Sequence, residues 1–107
     1  MADLAPDRGD GRKVHYGSGE QPWDVIVASG WGPAFAAGNV VKYLRRNKAP
    51  EHSLESARWY YARLYEGAAG DVPNWTNPEA IKIWEGAIGR LEMVLTNEEI
   101  ILLRGSA

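Results

Sequence analysis

The chain has no cysteine, two histidines and a single phenylalanine. The first absence excludes disulfides and thiol nucleophiles and removes the usual zinc and iron–sulfur anchors. Neither His15 nor His52 has a second histidine within a helical turn, so no metal ligand set is expected, and His52, with Glu55 three residues on, reads as a surface or capping residue. No run approaches about 18 apolar residues, and the opening Met1-Ala2-Asp3-Leu4-Ala5-Pro6-Asp7 carries no apolar signal region, so the expectation is no membrane span, no secretion and a cytoplasmic location by default. An excess of one charge is missing too. Twelve Lys+Arg against fourteen Asp+Glu give a net charge of −2, which disfavours binding to extended nucleic acid and leaves room only for a local anion patch. There is no G-x-x-x-x-G-K-[ST] phosphate loop, Gly17-Ser18-Gly19 does not continue into a dinucleotide fingerprint, and no G-x-S-x-G nucleophile turn occurs.

What is present is an ordinary globular composition: 107 residues, 45% hydrophobic and 24% charged, enough for one core and no more. Five Trp and five Tyr stand out, because amphipathic rings suit ring-stacking ligands and interfaces as well as cores. Residues 1–13 have almost nothing to bury and read as a disordered, flexible N-terminal tail; residues 14–107 read as a single helical domain. The expected fold is all-α, a compact bundle of four to five helices joined by short loops.

Pro22 and Asp24 suit a helix start that Ser29, Gly30 and Gly32 end after about two turns. Pro33 opens a second helix, in which Ala37, Val40, Val41 and Leu44 recur at the helical period and should face the core, with Asn47 and Pro50 marking its end. His52 or Ser53 should cap a third, with Leu54, Ala57, Tyr60, Tyr61 and Leu64 on one arc and Gly67 as a positive-φ terminator. Trp59 falls outside that arc and calls for a loop or a partner subunit to cover it. Thr76, Asn77, Pro78 and Glu79 signal a fourth helix with Ile81, Trp84, Ile88, Leu91 and Leu95 on its core face, and Gly86 and Gly89 inside it suggest close approach by another helix. Thr96 to Glu99 form a capping-box pattern ahead of Ile100, Ile101, Leu102 and Leu103. That run folds back or meets another subunit, and with Trp59 it marks the expected homo-oligomer interface.

The chemistry lies on the polar face of the second helix. Asn39, Lys42 and Arg46 follow at spacings of three and four with Lys48 just beyond, so up to three cations can converge on one anion near the helix end. Phe35 and Tyr43 border the strip and could stack a base, and Gly38 lets a flat ligand approach the backbone. A solvated basic face is the alternative that spacing leaves open.

Taken together, His15-Tyr16, Pro22-x-Asp24-Val25-Ile26, Gly38-Asn39-x-x-Lys42-Tyr43-x-x-Arg46 and Ser56-Ala57-x-Trp59-Tyr60 resemble a family of small bacteriophage proteins described as nucleotide-kinase-like or SaV-like, over about residues 14–66. Ser53-Leu54 stands where the family pattern has D-L, and Ser56 where it has Lys. The resemblance implies a phage protein working in the cytoplasm of the infected host. It also implies nucleotide handling by His15, Tyr16, Asp24, Asn39, Lys42, Tyr43 and Arg46. The activity implied is that of a deoxynucleoside monophosphate kinase-like phosphotransferase without a Walker A loop. Such transfer would use Mg2+ bridging the phosphates, for which Asp24 and Glu20 are the candidate carboxylates. Two alternatives remain: a non-catalytic oligomeric sponge that sequesters a signalling nucleotide, such as a cyclic one, of host defence, and an adaptor that docks an acidic host protein.

Overall fold

Prolines stand in the first two positions of four of the five helices in this computed structural model, which describes residues 21–46 and 49–105. The missing proline N–H is one of the orphan donors of a helix start, and its fixed φ is already helical. The helices are α1 (Pro22–Ala28), α2 (Gly32–Leu44), α3 (Pro50–Ala68), α4 (Pro78–Val94) and α5 (Asn97–Arg104). No strand occurs among the described residues, so the all-α reading holds and the β-branched run Val25-Ile26-Val27 is helical. The chain groups into two compact units, Met1–Gly32 and Pro33–Ala107. The tail expected over 1–13 lies outside the described residues.

In the first unit α1 is short and ends in a Schellman turn. Gly30, at φ +90°, donates to Val27 O at 3.0 Å, and Trp31 N donates to Ile26 O at 3.1 Å. Val27 is the buried residue of α1, while Trp31 is 64% exposed.

In the second unit α3 and α4 form the central pair. They run antiparallel: Gly67, near the end of α3, meets Trp84 in the first half of α4, and Tyr61 meets Glu92 near the end of α4. Val40, Ala57, Leu64 and Trp84 are wholly buried, and Ile88, Leu91, Leu95 and Leu103 are nearly so. The α4 periodicity is therefore the core seam, as the spacing predicts. Asn77 Oδ1 accepts from Ala80 N at 2.8 Å, capping that helix. Thr96 and Glu99 complete a reciprocal capping box at the start of α5.

Several expectations are corrected. The third helix begins at Pro50, ahead of His52 and Ser53, so His52 is an exposed residue of the first turn and Ser53 a buried residue within the helix. Ala49, at φ 48°, turns the chain into it. Gly67 is not the terminator; Gly70, at φ +80°, closes a second Schellman turn with its N–H on Gly67 O at 3.0 Å, and Asp71 N donates to Glu66 O at 2.9 Å. Gly67 is instead required by packing, since a Cβ there would lie inside the Trp84 indole. Gly86 and Gly89 face open space, so among the described residues no helix approaches them. On α2 the buried positions after its first two residues are Ala36 and Val40, a small rotation from the expected stripe, which leaves Leu44 half-exposed. Leu103 is buried within its own chain rather than offered to a partner.

Candidate functional site

α2 and α3 are joined by a connection of only a few residues, and their aromatic side chains meet. Tyr60, in the third turn of α3, is the centre of the contact. The Tyr43 ring lies parallel to it, with centroids 6.1 Å apart and planes at 8°, and Phe35 meets it edge-on at 5.8 Å. Two of the sequence-identified cations then gather on one ring: Lys42 Nζ and Arg46 Cζ each lie 5.2 Å from the Tyr43 centroid. Both cations are exposed, so the attraction of each to the ring face is modest and their charges remain available.

Beside that ring is a hollow of about 210 Å³ lined by Tyr43, Leu44, Arg46, Pro50, Ser53, Leu54 and Leu102. Its walls are the end of α2, the start of α3 and one residue of α5. The floor is apolar, and Arg46 supplies the charge at its edge. Tyr43 and Arg46 were legible in the sequence as candidates; Leu54, Pro50 and Leu102 were not. The signal for them is the short connection before Pro50, which must bring the start of α3 back beside the end of α2.

The other candidates fare differently. Asn39 spends its amide on its own helix, with Nδ2 donating to Phe35 O at 2.9 Å. Asp24 lies exposed in α1, where its Oδ2 accepts from Gln21 N at 3.4 Å as part of that helix's start. Among the described residues no group of three His, Asp or Glu gathers in a way that could hold a metal. His15, Tyr16, Glu20 and Lys48 lie outside the described residues. Arg45, on the same polar face, is committed elsewhere: it makes a two-pronged pair with Glu99, both contacts at 3.1 Å, and donates to Val94 O at 3.0 Å. Arg45 holds the Glu99 carboxyl below the usual carboxylate range, with the Thr96 N–H adding to the effect. Trp59 is covered by its own helix, since the Arg63 guanidinium lies 4.4 Å from its ring and reaches on to Glu66 at 2.8 Å. Ile100 is half-buried.

One polar cluster has no counterpart in the sequence reading. Glu92 Oε2 accepts from Tyr61 Oη at 2.6 Å, Tyr65 Oη at 2.9 Å and Arg104 Nη2 at 3.3 Å. Burial first, then the bond to Glu92, pushes the Tyr61 hydroxyl well above its ordinary range, and the Tyr61 hydrogen bond draws Glu92 below its own. Each group satisfies another, which makes the cluster a clasp joining α3, α4 and α5 rather than a reactive centre. No protein-family model, curated protein or solved structure matches the chain.

Proposed function

We propose that the chain is a nucleotide-binding protein whose site is the hollow at the end of α2, with Lys42 and Arg46 as the phosphate-binding pair. The observation that carries this reading is the meeting of two exposed cations on the Tyr43 ring at the edge of an apolar hollow that Tyr43 and Arg46 themselves line. An apolar recess beside paired cations suits a ligand with a flat body and an anionic end. At about 210 Å³ the hollow is smaller than the roughly 300–1,000 Å³ of sites that enclose whole drug-sized ligands. It therefore takes one ring system and leaves the phosphates outside, on the cationic rim.

Phosphoryl transfer between a nucleoside triphosphate and a deoxynucleoside monophosphate is the further step implied by the resemblance to the phage nucleotide-kinase-like proteins. Such transfer is mainly positioning and charge stabilisation, to which Lys42 and Arg46 are suited, with Mg2+ arriving on the phosphates. One observation favours plain sequestration as a second reading: among the described residues lining the hollow none is a carboxylate or histidine that could take a proton from an attacking hydroxyl. Self-association belongs to the same proposal, and it now rests on Ile101 and Leu102, which are 57% and 47% exposed, rather than on Leu103. Light scattering at micromolar concentration tests it.

A thermal-shift screen across mono-, tri- and cyclic nucleotides, with and without Mg2+, tests the binding site. Saturating ligand at about 100 times its Kd is expected to stabilise the fold by about 2.7 kcal/mol. No shift with any nucleotide overturns the proposal and leaves the docking of an acidic protein to this basic face. Incubation of a shifting monophosphate with ATP and Mg2+ then separates transfer, which yields diphosphate, from sequestration, which returns the ligand intact.

A further inference from the structure

α5 is attached to the rest of the second unit in an unusual way. Of its eight residues only Leu103 is buried, while Ile101 and Leu102 stay about half-exposed. Its grip comes instead from arginines at both ends. At its start, Glu99 takes both prongs of Arg45, which follows the last residue of α2. At its end, Arg58 of α3 donates from Nε to Leu102 O at 2.8 Å, and Arg104 reaches back to Glu92 of α4 and, at 3.4 Å, to Tyr61 Oη. Arg45 and Arg104 have side chains 48% and 59% exposed against 18% and 25% for Glu99 and Glu92, so each pair that holds the helix has its arginine in solvent, where salt can compete for it. Segments with little buried apolar contact and solvent-exposed bonds are those that open without global unfolding.

The position of the helix gives this weak attachment a consequence. Leu102 is the one α5 residue lining the hollow beside Tyr43 and Arg46, and Arg45, which holds Glu99, stands in the chain between Leu44 and Arg46, two residues of the opposite wall, without lining the hollow itself. We propose that α5 is an ionically fastened strap that closes one side of the hollow, and that raising ionic strength releases it as a unit while α3 and α4 stay folded. Release removes the Leu102 wall and frees Arg45 beside Arg46, turning a ring-sized recess into an open, more basic groove. That this gates nucleotide entry rests on the binding site proposed above; the release itself does not.

The absence of cysteine makes the strap directly measurable. Leu103→Cys places a single thiol under α5, and Leu64→Cys places one in the core of α3 as the control. Labelling by a soluble disulfide reagent, with no nucleotide present, is expected to be several-fold faster at 0.5 M than at 0.05 M KCl for the first variant, with little change for the second. Hydrogen exchange on the unaltered chain reads the same event without a core substitution: the α5 amides should exchange ahead of those of α3 and α4, and by more at high salt. Glu99→Gln keeps an acceptor for the Thr96 N–H but removes the charge, and it should raise α5 exchange at low salt toward the high-salt value. If α5 amides exchange only with the core, or if salt and Glu99→Gln leave them unchanged, the strap is refuted. Because no nucleotide enters these measurements, their failure is distinct from failure of the nucleotide screen.

Discussion

The Trp84 indole occupies the space where Gly67 would carry a side chain. The two helices of the central pair come together at this point because one of them has nothing to place there. Gly67→Ala tests the relationship. Helix propensity alone favours alanine by about 1 kcal/mol, but the methyl must displace a wholly buried ring. Overpacking of this kind costs about 1–3 kcal/mol or more, so urea unfolding should show a net loss of stability.

Gly86→Ala and Gly89→Ala should do the opposite. Both glycines sit within α4, exposed, with open space around a would-be Cβ. Each substitution should therefore add about 1 kcal/mol of stability, unless a partner packs on that face, in which case the same variants lose it.

The Glu92 clasp predicts an acid limb and an alkaline limb of stability. Glu92 titrates below its ordinary value when folded, so its contribution is full above that value and is lost as pH falls through the native one. Tyr61 titrates above its ordinary value of 10 when folded, so its contribution is full below pH 10 and is lost on going alkaline. Melting temperatures measured from pH 7 down to pH 3 should fall less steeply in Glu92→Gln than in the unaltered chain. Glu99 supplies a remaining slope of the same sign.

Helix order, the α4 core seam and the α5 capping box were readable from residue spacing because each is a local pattern, complete within a few turns. Gly67 was misread for the same reason. A glycine late in a helix looks like a terminator, and only the arrival of Trp84, seventeen positions on, gives it another meaning. The candidate site divides along the same line. Lys42, Tyr43 and Arg46 share one helix face and were visible; Leu102 joins them only through tertiary packing, and Arg45, identical to Arg46 as a residue type, is taken out of the anion patch by a glutamate 54 positions away.

Lys42→Ala and Arg46→Ala should each weaken nucleotide binding by about 1.5–3 kcal/mol, the range for hydrogen bonds to charged groups, while leaving the thermal midpoint almost unmoved. Calorimetric titration with the nucleotide that gives the largest thermal shift provides the number. Unchanged affinity would place the site elsewhere.

Leu44 lines the hollow and Leu64 lies in the core, so substitutions at the two should read differently. Leu64 is wholly buried, and Leu64→Ala should cost about 2–5 kcal/mol. Leu44 is half-exposed on the hollow wall, so Leu44→Ala should cost markedly less and report instead through lost ligand affinity.

The three-way bond to Glu92 also orders the routes by which this sequence can diverge. An early exchange of Glu92 for Gln leaves an amide oxygen that both tyrosine hydroxyls and Arg104 can still reach. Early loss of either hydroxyl instead leaves a partly covered carboxylate short of donors, which costs more than the bond itself was worth. Descendants should therefore pass through a neutral residue at 92 before Tyr61 or Tyr65 becomes Phe, and the effects of the two changes should depend on their order of arrival.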